Sequence, residues 1–450
     1  MTCPIDWIDS SAVRRFASHV LVALTLVLAA ITSAGAQSFD VPASPPQTPS
    51  GTQIAQPSGS LKDFANQSNL FGDWGGARTK MEQNGTTLGV SFIQFFDWAP
   101  TTSSLTNDVV TKYYYGGKFD VRDTSDLSRV AWKGLSVHAH LEVRFGDVPL
   151  LAGGTLIPTN AALIFPAAED TKVRLTGLSF TQVLNPHVVV SMGRFNTLEL
   201  YNGRQYAGGE GLDKFMNLAF VAPPLSLKTV PPVAEGVIFT VMRGSEVAAN
   251  AGLIESTDQG FFKNGATVLW NVTLPIKPFS LPGHYSFGGE FSSTVGTNLD
   301  QNPWILLPPF NNPALTKQGA WTLNFTFDQT LVADPQDAAQ NLGAFGTIGV
   351  SDGNPSLIQP YFIFGFGGHT LLKGRPNDTF GIGYFFTGVS NDFRTSVEPV
   401  RLRDEQGGEF YYNFAAARWS LITADLQFVD PFAVGSRTRT FFAVRWKLVF

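Results

Sequence analysis

The residues in this chain best placed to do chemistry lie between positions 136 and 144, where polar and apolar side chains strictly alternate. His138, His140, Glu142 and Arg144 fall on one face, together with Ser136. On an extended strand, side chains two apart point the same way, so two imidazoles and a carboxylate come together. That spacing could begin a metal site, but such a site needs three or four ligands and Glu142 is the only local third candidate. The bland reading, polar side chains lining water, accounts for the pattern without an ion. No nucleophile elbow, phosphate loop or H-E-x-x-H signature occurs in the sequence. Neither a cofactor nor a metal is expected.

The same parity recurs elsewhere. Lys118, Asp120 and Arg122 alternate with Phe119 and Val121, and Glu290 alternates with Tyr285, Phe287 and Phe291. Arg445 and Lys447 alternate with Val444, Trp446 and Leu448. Carboxylates and cations facing one another across a narrow bore create a transverse field and offer many donors and acceptors. A neutral polyhydroxyl solute can exchange its water hydrogen bonds for these without a charge penalty. The competing reading is that these charges hydrate a channel and pair among themselves.

Strands with one greasy and one charged face must position these residues. In 135–145 the other face is Leu135, Val137, Ala139, Leu141, Val143 and Phe145. In 321–328, Trp321, Leu323, Phe325 and Phe327 alternate with Thr322, Asn324, Thr326 and Asp328. Sixteen such segments can be drawn, at 87–97, 112–122, 134–145, 172–182, 187–195, 236–243, 247–254, 266–274, 284–293, 320–328, 341–351, 359–366, 379–388, 409–418, 420–429 and 438–450. Links after odd-numbered strands are mostly long and several of the others tight, as expected of an even-stranded barrel with both ends on one side of a membrane. Trp98, Trp132, Tyr361 and Trp419, at strand ends, are expected to form interfacial girdles.

Composition agrees. Charged residues are only 15% and aromatics 13% of the chain, yet mean hydropathy is +0.04. That excludes a bundle of membrane helices and fits two-faced strands covered by lipid. The net charge of −5 argues against nucleic acid as a partner. At the start, Arg14 and Arg15, the apolar run 20–31 and Ala34-Gly35-Ala36 read as a secretory signal over 1–36, too short to anchor. Cys3, the only cysteine, lies inside it. Residues 37–60 read as a Pro/Ser/Gly linker, and 61–86 as a short periplasmic segment with a helix ended by Gly85. The expected fold is all-β: a transmembrane antiparallel barrel over 87–450.

Three stretches resemble the carbohydrate-selective porins of the OprB type. Residues 70–85 (LFGDWGGARTKMEQNG) resemble the family's N-terminal signature, 216–239 its Pro-rich loop, and 409–428 (EFYYNFAAARWSLITADLQF) its late hairpin. Phe450 is similar to the closing aromatic that outer-membrane barrels present to the barrel-assembly machinery. The resemblance implies an outer-membrane location, sixteen strands and diffusion of small sugars. It also implies that Trp74, Gly75, Gly76 and Arg78 belong to a periplasmic element outside the pore. Gly193-Arg194-Phe195 resembles the family's Gly-Arg strand end and suggests Arg194 as a lumen residue, although Val188, Val190 and Met192 share its parity. Expected partners are outer-membrane lipid and permeating sugars, with homo-trimer formation left open. The rivals are a general or ion-selective porin of the same fold, and an outer-membrane enzyme or adhesin.

Overall fold

The computed structural model describes residues 61–450 except 103–108, 148, 150–151, 166–171, 258–261, 302–314, 371, 373, 399–400 and 435. The expected signal and linker fall outside the described residues. Sixteen antiparallel strands, each paired with its sequence neighbours, close into one barrel through β1 and β16. The strands are β1 (Thr86–Thr102), β2 (Val109–Asp126), β3 (Leu135–Gly146), β4 (Arg174–Asn185), β5 (Val188–Asn196), β6 (Val233–Arg243), β7 (Glu246–Glu255) and β8 (Ala266–Ile276). They continue with β9 (Gly283–Thr297), β10 (Thr316–Ala333), β11 (Asn341–Ser351), β12 (Ile358–His369), β13 (Thr379–Val389), β14 (Glu405–Ala417), β15 (Ser420–Asp430) and β16 (Arg439–Val449). All sixteen segments expected from the alternation are present. No helix among the described residues is long and apolar enough to cross a membrane; the strands do so instead.

The outer face carries the apolar set. Leu141, Phe180, Phe239, Phe287, Phe325, Phe364, Phe410 and Trp446 are all exposed, the lipid-facing counterpart of a soluble core. Trp98 joins this surface between Tyr113 and Phe442, with ring centroids 5.3 and 5.4 Å away. Tyr361 does not. Phe362, Phe364 and Phe366 take the outer face of β12, so Tyr361 turns inward, is 1% exposed and donates its hydroxyl to the Ala219 carbonyl.

The inside is not an open pipe. The β3–β4 link, which includes short 3-10 turns at Ala152–Gly154 and Ala161–Leu163, lies in the bore, and so does the β5–β6 link over 197–232. The second link holds 3-10 turns and a one-turn helix at Leu218–Val221. Their buried Ile157, Tyr206, Phe215, Phe220 and Leu225 form one apolar cluster with inward residues Phe345, Ile363, Phe385 and Tyr411 of the wall. Room for it comes from inward glycines. A Cβ on Gly383 would lie 2.5 Å from the Phe220 ring, and one on Gly381 would lie 2.8 Å from Phe215.

At the opposite end, α1 (Leu61–Asn66) and α2 (Ala77–Gln83) cap the seam between first and last strands. Trp419, in the β14–β15 turn, packs on Phe64 of α1 at 5.1 Å and donates to its carbonyl. The seam itself is short, with eight paired positions from Ser91↔Val449 to Trp98↔Phe442. Arg78 reaches across it. It donates to the Leu88 carbonyl at 3.1 Å and the Phe450 carbonyl at 2.6 Å, lies 4.7 Å over Trp74, and has Phe71 packed at a tilt on Phe450 beside it. Hydrogen bonds from a charged donor contribute about 1.5–3 kcal/mol each. Arg78→Ala should therefore lower barrel stability by about 2–4 kcal/mol, read as urea unfolding in detergent, while leaving single-channel conductance unchanged.

Candidate functional site

Inward parity alone does not put a side chain in water. Lys118, Asp120, His140 and Glu142 face the bore, yet each is at most 1% exposed, because the loops lie over them. Lys118 contacts Glu142 and lies 3.6 Å from Asp120. The His140 ring sits between two carboxylates, with Nε2 3.2 Å from Asp120 and Nδ1 2.7 Å from Glu199. Arg144, on the same face, is also buried. Arg122 and His138 stay partly open, at 31% and 28%, and reach up to loop acids: Arg122 to Glu210 at 3.0 Å, His138 to Glu199 at 3.3 Å. Glu199 and Glu210 come from the β5–β6 loop, so this is an ion network between wall and loop.

Two triplets, Asp120–His140–Glu142 and His140–Glu199–Glu210, bring ligand-type atoms within 4.8 Å of one another. Lys118 and Arg122 already lie against both carboxylate sets. A divalent ion there would have to work against two fixed cations, so the donor set suits an internal salt-bridge network better than a metal.

Arg194 departs from its expected place. Its register partners are Leu178 on β4 and Glu235 on β6. Leu178 is an outer-face residue, and Met192, of the same parity, is 61% exposed. Arg194 therefore lies on the outside of the barrel near the end of β5, paired with Glu235 at 2.9 Å. Glu290 does face inward, but its carboxylate is already occupied. Ser226, Thr229 and Thr322 donate to it at 2.7, 2.6 and 2.7 Å, so it anchors the loop.

Among the described residues, open space lies on the other side of the β5–β6 loop. A cavity of about 510 Å³ runs between that loop and β5 to β10. Its barrel wall carries the neutral hydroxyls and amides of Ser191, Thr240, Asn250, Asn271, Ser286, Asn324 and Thr326, with Ile238, Leu269 and the loop-bound Glu290 among them. Its loop wall carries Leu200, Tyr201, Phe220, Val221 and Pro223. Arg204 borders it, but is held by Asp328 at 3.2 Å and Thr347 at 3.0 Å. The sequence reading missed these loop residues, Glu199, Arg204 and Glu210 among them. A signal was present: a link holding Tyr206, Phe215, Phe220 and Leu225 is too apolar to lie in water.

Burial opposes ionisation of Glu199, but hydrogen bonds from His138 and His140 outweigh it and hold the carboxyl well below its ordinary value of 4.5. A depressed carboxylate stabilises the docked loop above that ordinary value and loses its grip as pH falls below it. Open-channel conductance should therefore be flat from pH 8 to about 5 and rise or become noisy in more acid solution. Glu199→Gln should show the same disturbance already at neutral pH; a flat, quiet trace from that variant would exclude this role.

The sequence model described as carbohydrate-selective porin, OprB family, matches residues 111–440. No curated protein sequence matches the chain. Among solved structures, the high-pH structure of Pseudomonas putida OprB is similar at a TM-score of 0.74 and 16% identity, covering 86% of this chain and 99% of that one. The low-pH structure of the same protein gives 0.54 and 17%, with the same coverage.

Proposed function

Because the chain belongs to the OprB family of carbohydrate-selective porins, we propose that the neutral channel beside its β5–β6 loop is where sugars are selected. The protein is an outer-membrane porin, and its family and fold are those of a channel rather than an enzyme. Lipid covers the outer face and solute passes inside.

One observation carries the proposal: the two walls of the channel are chemically unlike. A sugar ring has a C–H face and a rim of hydroxyls. The apolar loop wall, with Leu200 and Tyr201, suits the first, and the hydroxyls and amides of the barrel wall suit the second. The charges near the path are spent elsewhere, Glu290 on Ser226, Thr229 and Thr322, and Arg204 on Asp328 and Thr347. A charged solute thus gains no free counter-ion to replace its lost hydration, while a neutral one loses little. Lys118, Asp120, Arg122, His138, His140, Glu142 and Arg144 act in this reading by holding the loop and shaping the field behind it.

Purified protein in planar bilayers should show ionic current blocked by a neutral hexose. In vesicle swelling, the hexose should enter faster than a uronic acid or an amino sugar of equal size. Asn250→Ala with Asn324→Ala should weaken the block several-fold. Equal rates for all three solutes, with current indifferent to sugar, would support a general porin instead.

A further inference from the structure

We infer that the inward face of the β14–β15 hairpin is the seat that fixes the width of the bore, with Glu405 and Glu409 as positioning residues for the two in-folded loops. This deepens the sugar-channel reading and rests on it only for the choice of solutes that report the width.

Glu405 and Glu409 lie four residues apart on β14, so both point inward. Glu405 accepts the backbone N–H groups of Leu156 at 2.6 Å and Ile157 at 2.8 Å, both in the β3–β4 loop. Glu409 accepts those of Met216 at 2.5 Å and Asn217 at 3.0 Å, both in the β5–β6 loop. One strand therefore grips both loops. Across the hairpin, Gln427 donates to the Thr159 carbonyl at 2.9 Å and accepts from the Asn217 amide at 3.1 Å. Asn413 donates to the Asp213 carbonyl at 2.6 Å. The loops also bond each other, Ala161 N–H to the Met216 carbonyl at 2.8 Å and Leu218 N–H to the Pro158 carbonyl at 3.0 Å. They form one insert on one seat.

The chemistry of the grip explains the residue type. Irregular backbone buried in a bore has N–H groups with no ladder partner, and each must find an acceptor. A carboxylate offers two oxygens to the N–H groups of successive residues. A glutamine in its place would set its own NH₂ against one of them. Glu405, Glu409 and Gln427 are at most 2% exposed and border no part of the open channel, so they do not meet solute. The stretch 409–428 thus reads as a docking surface for the insert, which the solute never touches.

The test is a Glu405→Gln, Glu409→Gln double variant, with Cys3→Ser and a reporter Ala161→Cys at a buried insert position. Compared with the reporter alone, the double variant should conduct at least twofold more per channel. Its thiol should react with a maleimide at least tenfold faster, and it should pass tri- and tetrasaccharides that the parent excludes. Its mobility on unboiled gels should not change, since no ladder bond is lost. A folded double variant with parental conductance and labelling would overturn the inference. Asn413→Ala with Gln427→Ala, which alters no carboxylate, should widen the bore in the same direction. Failure of both variant pairs to assemble would equally overturn it, by making the seat a requirement of barrel folding. A wider double variant whose parent is not blocked by sugar would leave the seat standing and defeat the sugar-channel reading.

Discussion

A strand in hydrocarbon has no water to bond its backbone, and this constraint governs the whole molecule. Every N–H and C=O in the wall must pair with a neighbouring strand, so the sheet can have no free edge. Closure through the short β1–β16 seam satisfies the last pair of strands. With the backbone settled, the outer side chains need only be apolar and the inner ones are free to do something else. The cap over the seam, with Arg78 bonding to both Leu88 and Phe450, reinforces the place where the first and last strands meet.

The inner face uses its freedom in two different ways. Around β11 to β15 it becomes a bed for the loops, with glycines where aromatic rings need space and buried carboxylates where loop N–H groups need acceptors. Around β5 to β10 it borders the cavity with hydroxyls and amides, and its carboxylates Glu290 and Asp328 are paired with the β5–β6 loop. At β2 and β3 it carries a dense set of charges, matched to acids on the loop. Loop and wall thus divide the bore unequally, leaving a cavity on the side that is not filled.

The barrel was legible because lipid and water impose opposite demands on alternate residues, and a period of two survives in almost every strand. Arg194 shows where parity must be taken literally: its neighbours Val188, Val190 and Met192 are apolar, and it goes outward with them. Tyr361 shows the converse, since being aromatic at a strand end did not outweigh Phe362 and Phe364 on the outer face. What sequence pattern could not show is which inward residues a loop would cover. His140 and Asp120 share a parity with Asn324's neighbours on other strands, yet they lie under the insert while Asn324 borders open space. Pattern fixes the side of the sheet on which a residue falls, and long-range packing decides whether that side is wet.

The strands are unequal in a way that matters outside the protein. β2 and β10 have 18 residues each, whereas β5 has 9. A strand as short as β5, tilted at about 45°, rises roughly 20 Å, less than the apolar band of about 25 Å that such barrels present. The membrane beside β5 must therefore pinch inward or meet charge early, and the external Arg194–Glu235 pair sits near the end of β5. Deforming a bilayer has an elastic cost that two thin sides brought together would share. The lopsided wall thus offers the bilayer a lower side at β5 than at β2 and β10.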